Sequence, residues 1–374
     1  MRNSFFIIAA LVFLAANFYV GYRIYALLPA NPLLRIIAVA VVAVGTLGFP
    51  IFFLSEGKLP GSTEGFLYRF STSWIIAFGY FLLIFLLIDF GRLLNHIFRF
   101  ADTQLVFSLF YHNWKMSLAI LGGVAVLLFA GYLNYRDKRR EYIHVQTEKW
   151  KPNAKPLRVV AMSDLHLGYT ISADELRQWV ALVNAEKPDL VLIGGDLIDN
   201  NLRIVERAAL DKELQKINAP MGVYAVPGNH EFISGIKASE AFYQKAGITL
   251  LRDSVVKLEN ITIVGRDDYS NRHRKNLDEL LKPSDLSQYT VLLDHQPQHL
   301  HDAERARIDF QFSGHTHNGQ VFPLSLLVDR MFELSHGFLK KSDTRFFVSS
   351  GLGIWGGKFR IGTHSDYLVM DISR

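Results

Sequence analysis

An aspartate and a histidine stand two residues apart in Asp164-Leu165-His166, directly after the apolar run 159–162. Read as the end of a strand, this spacing points both side chains the same way, so the pair is expected to grip one cation. His315-Thr316-His317 repeats the device, and Gly314 before it lets backbone come close. Asp196, Asn229 and His295 close three further apolar runs. Together these residues form a donor set for two divalent ions about 3.5–4 Å apart, with one carboxylate bridging and several neutral ligands around them. Such a pair lowers the pKa of a shared water toward about 7 and clamps the non-bridging oxygens of a phosphate ester. His230, beside Asn229, is placed to act on the phosphate as general acid or charge stabiliser. Asp199 reads as a residue that orients His230 or a ligand, not as a ligand itself. Imidazoles ligate only when neutral, so metal binding should weaken in acid. The chain has no cysteine, which excludes disulfides, a thiolate nucleophile and Cys-bound zinc. The donors that remain suit Mn, Fe, Zn or Mg.

The elements that carry these residues follow from apolar periodicity. Strands are expected at 157–162, 189–193, 222–226, 290–293 and 309–312, each ending in Asp, Asn or His. A capping box, Ser172-Ala173-Asp174-Glu175, opens a helix that runs to about residue 185. Further helices are expected near 203–217, 236–246 and 276–281, and strands near 249–251, 255–258, 261–264, 345–349 and 366–372. Strand–helix alternation followed by strand-rich segments indicates an α/β fold with mixed sheets. One Asp after a strand is ordinarily a cap or turn residue. Polar clusters at five successive strand ends fit a site instead, because sites in such folds lie beyond the carboxyl ends of the strands.

Composition divides the 374 residues in two. Residues 1–135 are apolar and aromatic, and hold four uncharged runs at 3–22, 36–55, 70–88 and 116–135. Each is near the roughly 20 residues needed to cross a bilayer, which predicts an all-α bundle of four transmembrane helices. The first run has the charged start of a signal peptide, but three further runs follow it. Residues 92–114 read as an interfacial segment, and Asp89 as an interfacial residue. So few intramembrane charges favour an anchor over a transporter. With the N-terminus inside, Arg2, Lys58, Arg69, Arg136, Lys138, Arg139 and Arg140 lie inside, and Arg23, Arg35, Arg92, Arg99 and Lys115 outside. That excess places the soluble part in the cytoplasm of a cell bounded by this membrane. Residues 136–156 read as a tether, although 141–147 alternates enough for an edge strand, and 157–374 as the catalytic domain. The net charge of +5 fits anchoring at lipid headgroups, and no long Lys/Arg run points to nucleic acid.

The ordered motifs resemble the calcineurin-like metallophosphoesterase superfamily, and within it the bacterial membrane-associated phosphodiesterase branch. That pattern is D-x-H, G-D-x-x-D, G-N-H-[DE], a lone His and G-H-x-H. The chain reads Asp164-Leu165-His166, Gly195-Asp196-Leu197-Ile198-Asp199, Gly228-Asn229-His230-Glu231, His295 and Gly314-His315-Thr316-His317. The resemblance implies a four-layer α/β/β/α sandwich holding two divalent metals, Mn, Fe or Zn. It implies Asp164, His166 and His317 on one metal, Asn229, His295 and His315 on the other, Asp196 bridging, and His230 as the catalytic histidine. In that branch G-H-T-H is usually followed by Gly-Gly-Gln, whereas here Asn318-Gly319-Gln320 follows. Ser349-Ser350-Gly351-Leu352-Gly353 also resembles the branch. Asn200 stands where protein phosphatases of the superfamily carry Arg, which argues against that activity.

Substrate contacts are less sharply marked. Arg266, Arg272, Arg274 and Lys275 either clamp a diphosphate, meet anionic headgroups, or form a solvated loop. Residues 323–338 either line an acyl groove, dip into the bilayer, or pack as core. His299 and His301 are assigned to a surface helix. The expected function is a membrane-anchored, two-metal phosphodiesterase or pyrophosphatase, with membrane lipids and a lipid or lipid-linked phosphoester as partners. The alternatives are hydrolysis of a soluble nucleotide or generic phosphodiester, and a non-catalytic membrane scaffold with a structural metal.

Overall fold

The computed structural model describes residues 2–55, 57–282 and 286–374, with side chains from residue 7 onward. It divides into two compact units, Met1–Tyr132 with Gly356–Lys358, and Leu133–Trp355 with Phe359–Arg374.

The first unit is helical: α1 (Arg2–Leu27), α2 (Pro32–Ser55), α3 (Gly61–Phe98), α4 (Thr103–Leu109) and α5 (Trp114–Arg136). All but α4 are long and apolar enough to cross a membrane. Outward faces are apolar, with Phe18, Leu33, Ile36 and Leu54 exposed. Between the helices, buried aromatics such as Phe52, Tyr68, Trp74 and Phe85 pack with small and polar groups. Asn17 is the hub: its Oδ1 accepts from Thr46 Oγ1 at 2.8 Å and Trp74 Nε1 at 3.1 Å. The helix α3 extends past the expected 70–88 at both ends, and at its C-terminal end Asp89 pairs with Arg23 and Arg92 within the bundle. The expected interfacial segment is therefore the end of α3 plus α4, which Asp102 caps by accepting from the Gln104 and Leu105 amides at 2.7 and 3.0 Å.

Among the described residues, the second unit holds twelve strands: β1 (Lys138–Gln146), β2 (Leu157–Met162), β3 (Leu190–Ile193), β4 (Val223–Ala225), β5 (Thr249–Leu250), β6 (Ser254–Lys257), β7 (Ile261–Gly265), β8 (Tyr289–Leu293), β9 (Phe310–Ser313), β10 (Gly337–Lys341), β11 (Thr344–Val348) and β12 (Ser365–Ser373). They form two mixed sheets of six, ordered β1-β12-β2-β3-β4-β5 and β10-β11-β9-β8-β7-β6. The apolar runs are buried on both faces, the mark of sheets covered on each side. Along β2 the faces alternate. Val159 and Ala161 meet Val291, Leu293, Phe310 and Phe312 of the other sheet, while Val160 and Met162 meet Leu176, Trp179 and Val180 of the helix Ala173–Ala185. On the far side of the second sheet, Val264 and Leu292 pack on Leu277, Leu300 and Ala303. The layers are thus helix, sheet, sheet, helix, preceded by the helical region. One expectation is corrected. The stretch 136–156 is not a free tether, because residues 138–146 pair in parallel with β12 as the edge strand and Trp150 beyond them is buried in the core.

Candidate metal centre

The strands that end in candidate residues are β2, β3 and β4 in one sheet and β8 and β9 in the other, adjacent in each sheet. Their carboxyl ends open onto one site. The path of the chain there differs from expectation. Asp164 and His166 do not extend β2, which ends at Met162, but turn through left-handed backbone with φ of 56° and 48°. The same conformation recurs at Asp196 (φ 51°), His315 (φ 72°) and His317 (φ 49°). Non-glycine residues rarely adopt it, and it persists where surrounding structure holds it. Here main-chain bonds do so. The amides of Asp164 and His166 donate to the carbonyls of Gly195 and Asp196, each at 3.0 Å. Two glycines are needed for close approach. A Cβ on Gly228 would lie 2.1 Å from Asp196 Oδ1, and one on Gly314 would lie 2.2 Å from Asp164 Oδ2. The change from Gly to Asn at position 318 keeps the turn, because Asn318 sits at φ 49°, a conformation Asn tolerates.

The candidate ligands converge into two groups. Asp164, His166 and His317 bring their donor atoms within 4.8 Å of one another, and so do Asp196, His295 and His315. His166 Nε2 and His317 Nε2 are 3.0 Å apart, and His317 Nε2 is 3.4 Å from Asp164 Oδ1. Asp196 joins the groups: its Oδ2 lies 3.2 Å from His295 Nε2 and 3.8 Å from His166 Nε2. His295 Nδ1 donates to the Gly194 carbonyl at 2.8 Å, which leaves Nε2 as the lone-pair nitrogen. That nitrogen and Asn229 Oδ1 are buried without a hydrogen-bond partner. Buried orphan acceptors are costly unless something electropositive meets them, so this set of carboxylates, imidazoles and one amide oxygen fits divalent cations.

A third group combines His166, Asp199 and His230. His230 Nδ1 lies 2.5 Å from the Asp199 carbonyl oxygen and 3.3 Å from its carboxylate. Burial would lower the His230 imidazole, but Asp196 and then Asp199 outweigh it and raise the group to about 9. Asp196 is pushed up by burial yet held well below the usual carboxylate range by His295, His230 and His166. His317 falls well below the ordinary imidazole value, through burial first and then the neighbouring His166. It is therefore neutral and able to ligate.

Two residues with structural roles were not foreseen. Glu231, inside the third motif, is fully buried and accepts from the amides of Gly228, Ile198 and Asp196 at 2.7, 2.9 and 3.1 Å. It ties the β3 and β4 loops together, and burial, with Asp196 nearby, raises its carboxyl to about 7. Arg360 is also fully buried, and donates to the carbonyls of His317 (2.7 Å), Ser350 (2.5 Å) and Gly353 (3.1 Å). Nothing in its local sequence signals this, because its partners come from two other loops. Of the basic loop, Arg266 and Arg274 are buried on Asp294 at 3.2 and 2.5 Å, so this part is not a solvated face. His299 precedes the short helix Leu300–Arg305, and His301 on it is exposed, as expected.

A family profile for calcineurin-like phosphoesterases matches residues 157–319. The chain is 38% identical over 208 residues to an uncharacterized metallophosphoesterase of Helicobacter pylori, a match covering 54% of this chain and 56% of that protein. It thus spans little more than half the length of that relative. It is 33% identical over 258 residues to an uncharacterized metallophosphoesterase of Aquifex aeolicus, covering 67% of this chain and 97% of that protein. A transmembrane protein with metallophosphoesterase domain from Danio rerio is 29% identical over 272 residues, covering 68% of this chain and 62% of the fish protein.

Proposed function

The chain belongs to the calcineurin-like metallophosphoesterase family, and from that premise we propose that it is a membrane-anchored, two-metal phosphodiesterase or pyrophosphatase acting on a lipid or lipid-linked phosphoester. The observation that carries the two-metal reading is Asp196 Oδ2, within 3.2 Å of His295 and 3.8 Å of His166, between two groups of donors. In this reading Asp164, His166 and His317 hold one ion, Asn229, His295 and His315 the other, and Asp196 both. Ions bound there would supply Lewis-acid charge for the phosphate oxygens and an acidified water.

The protein's own groups do the rest. Asp199 engages His230 Nδ1, which leaves Nε2 to meet the leaving oxygen. The Asp199 carboxylate, 3.3 Å from Nδ1, favours the protonated imidazole that a general acid needs. The main-chain amide of His315 donates to both oxygens of Asp164 at 3.1 Å, fixing that carboxylate toward His317.

The lipid class rests on the helix Leu324–Met331, which follows the His317 turn closely. It exposes Leu324, Leu327 and Met331 at 52%, 57% and 66%. At its end, Phe332 stacks edge-on to the His315 ring with centroids 6.2 Å apart. An acyl chain beside the site would cover that apolar face. The basic residues Arg136, at the end of α5, and Lys138, Arg139 and Arg140 beyond it favour a cytoplasmic position for the sandwich.

The test is hydrolysis of bis(p-nitrophenyl) phosphate by the full chain in detergent with Mn²⁺. Activity should vanish with EDTA and return with metal. His230→Asn should lower kcat by about 10²–10⁴ while the bound metal, measured by mass spectrometry, stays at two per chain. A folded, metal-loaded protein inert with every divalent ion would favour the scaffold alternative instead.

A further inference from the structure

The helical unit contains a charged cavity that the hydrolytic reading does not use. The segments α1, α3 and α4, with Tyr111 just beyond α4, enclose about 480 Å³. Asp89 Oδ1 accepts from Arg23 Nη2 at 3.1 Å and Arg92 Nη1 at 3.2 Å, and Asp89 Oδ2 accepts from the Tyr19 hydroxyl at 2.6 Å. The carboxylate is saturated, yet two guanidinium groups face it, so the cluster carries one net positive charge. A pair built only for stability needs one arginine. Arg23 is 5% exposed, and its Nε is buried without a hydrogen-bond acceptor. Both guanidinium groups also lie over the Tyr111 ring, at 5.9 and 5.4 Å. The remaining wall sets apolar Leu93, Val106 and Phe107 beside Tyr22, Asn95, His96 and Thr103.

A buried cation with an unpaired N–H beside apolar side chains in a membrane-type bundle calls for an amphiphilic anion. The end of the bundle fixes which one. The cavity lies where α1 and α3 finish, toward Leu27 and Phe98, and α4 there is too short to span. That is headgroup depth for a chain lying in a bilayer. We propose that this cavity binds the phosphate of one anionic phospholipid, with Arg23 and Arg92 on the phosphate oxygens and an acyl chain along Leu93, Val106 and Phe107. The site is independent of the phosphoesterase reading and rests only on the helices lying in a lipid bilayer.

The test uses delipidated full-length protein in detergent, with bound lipid counted by native mass spectrometry. Dioleoyl phosphatidylglycerol should bind at one per chain and about tenfold more tightly than dioleoyl phosphatidylcholine, the effect of one added charge-assisted contact. Arg92→Gln should erase that preference, whereas Arg99→Gln, an equal charge change at the C-cap of α3 outside the cavity, should leave it intact. Glycerol 3-phosphate at equal concentration should not displace the lipid. Val106→Trp, which fills the cavity and leaves the charges, should also abolish tight binding, and it decides the matter if Arg92→Gln does not fold. Equal binding of the two lipids overturns the proposal. So does equal loss in the Arg92 and Arg99 variants, which would mean diffuse surface attraction, or displacement by glycerol 3-phosphate, which would mean a site for soluble anions. Hydrolysis is not read in this experiment, so its failure leaves the phosphoesterase reading untouched.

Discussion

In the sandwich, the candidate ligands sit on loops whose backbone is forced into the left-handed region at Asp164, His166, Asp196, His315 and His317. In the bundle, Arg23, Asp89 and Arg92 sit on unbroken helices, and only their side chains meet. The first arrangement costs on the order of 1–3 kcal/mol per strained residue, and Glu231 and Arg360 hold it by binding the main chain of the loops. The second needs no such frame, because its charges neutralise one another in part. Strained backbone with orphan acceptors suits a cation that arrives from outside. Relaxed helices with an excess guanidinium suit an anion. The difference teaches that burial of charge alone does not name a ligand; what holds the charges in place does.

The sharpest way to break this contrast is Asp196→Asn. The amide keeps the shape but removes the charge that both groups of ligands share. Bound metal should fall below two per chain, and kcat/KM for bis(p-nitrophenyl) phosphate should drop on the order of 10³-fold or more. EDTA should then lower the unfolding midpoint of the wild type and leave that of the variant nearly unchanged. A variant that still binds two ions would show that the carboxylate does not join them.

A smaller effect is expected at Glu231→Gln, which meets the proposed ligand Asp196 only through its main-chain amide. A glutamine cannot accept from the Gly228, Ile198 and Asp196 amides as the carboxylate does. The loss of hydrogen bonding to a fully buried group costs about 2 kcal/mol. Metal affinity should fall about 10–100-fold, as for other groups that orient ligands. Isothermal titration with Mn²⁺ measures the affinity and thermal unfolding the stability. If affinity is unchanged while stability falls, the frame serves folding alone.

Much of this design was legible beforehand. Strands β2, β3, β8 and β9 are buried on both faces and so appear as apolar runs, and Asp196, His295 and His315 stand out as polar residues that end them. The conformation of Asp164 and His166 was not legible, because i and i+2 residues reach a common ion from an extended strand or from a left-handed turn. The role of Arg360 was hidden because its acceptors, Ser350, Gly353 and His317, become neighbours only when three loops close together. The partners of Asp89 were hidden for a similar reason, since Arg23 and Tyr19 reach it from another helix. The edge strand β1 was ambiguous, as one-sided alternation fits a tether until β12 is there to pair with it.

The finest comparison sets the same two residue types in water. Arg158 and Asp371 on β2 and β12 form two contacts, Nε to Oδ1 at 2.8 Å and Nη2 to Oδ2 at 2.9 Å, with the arginine 38% exposed. The hydrogen bond from Arg158 holds the Asp371 carboxyl below its ordinary value, against slight burial. The folded value is thus lower than the unfolded one of roughly 3.9. The pair therefore stabilises the fold above about pH 4, and that contribution is lost as pH falls through the lower folded value. Because water screens an exposed pair, its worth is under about 1 kcal/mol. Arg158→Met should lower stability by no more than that at pH 7, less in high salt, and by nothing measurable near pH 2. Chemical denaturation at the two pH values reads the difference. Arg23→Met in the bundle, measured beside it in detergent, should cost more and show less salt dependence, since Arg23 is 5% exposed against 38% for Arg158. Equal costs at the two sites would mean that the bundle's charges are as well solvated as those on the sheet edge, and the contrast between the two constellations would fail.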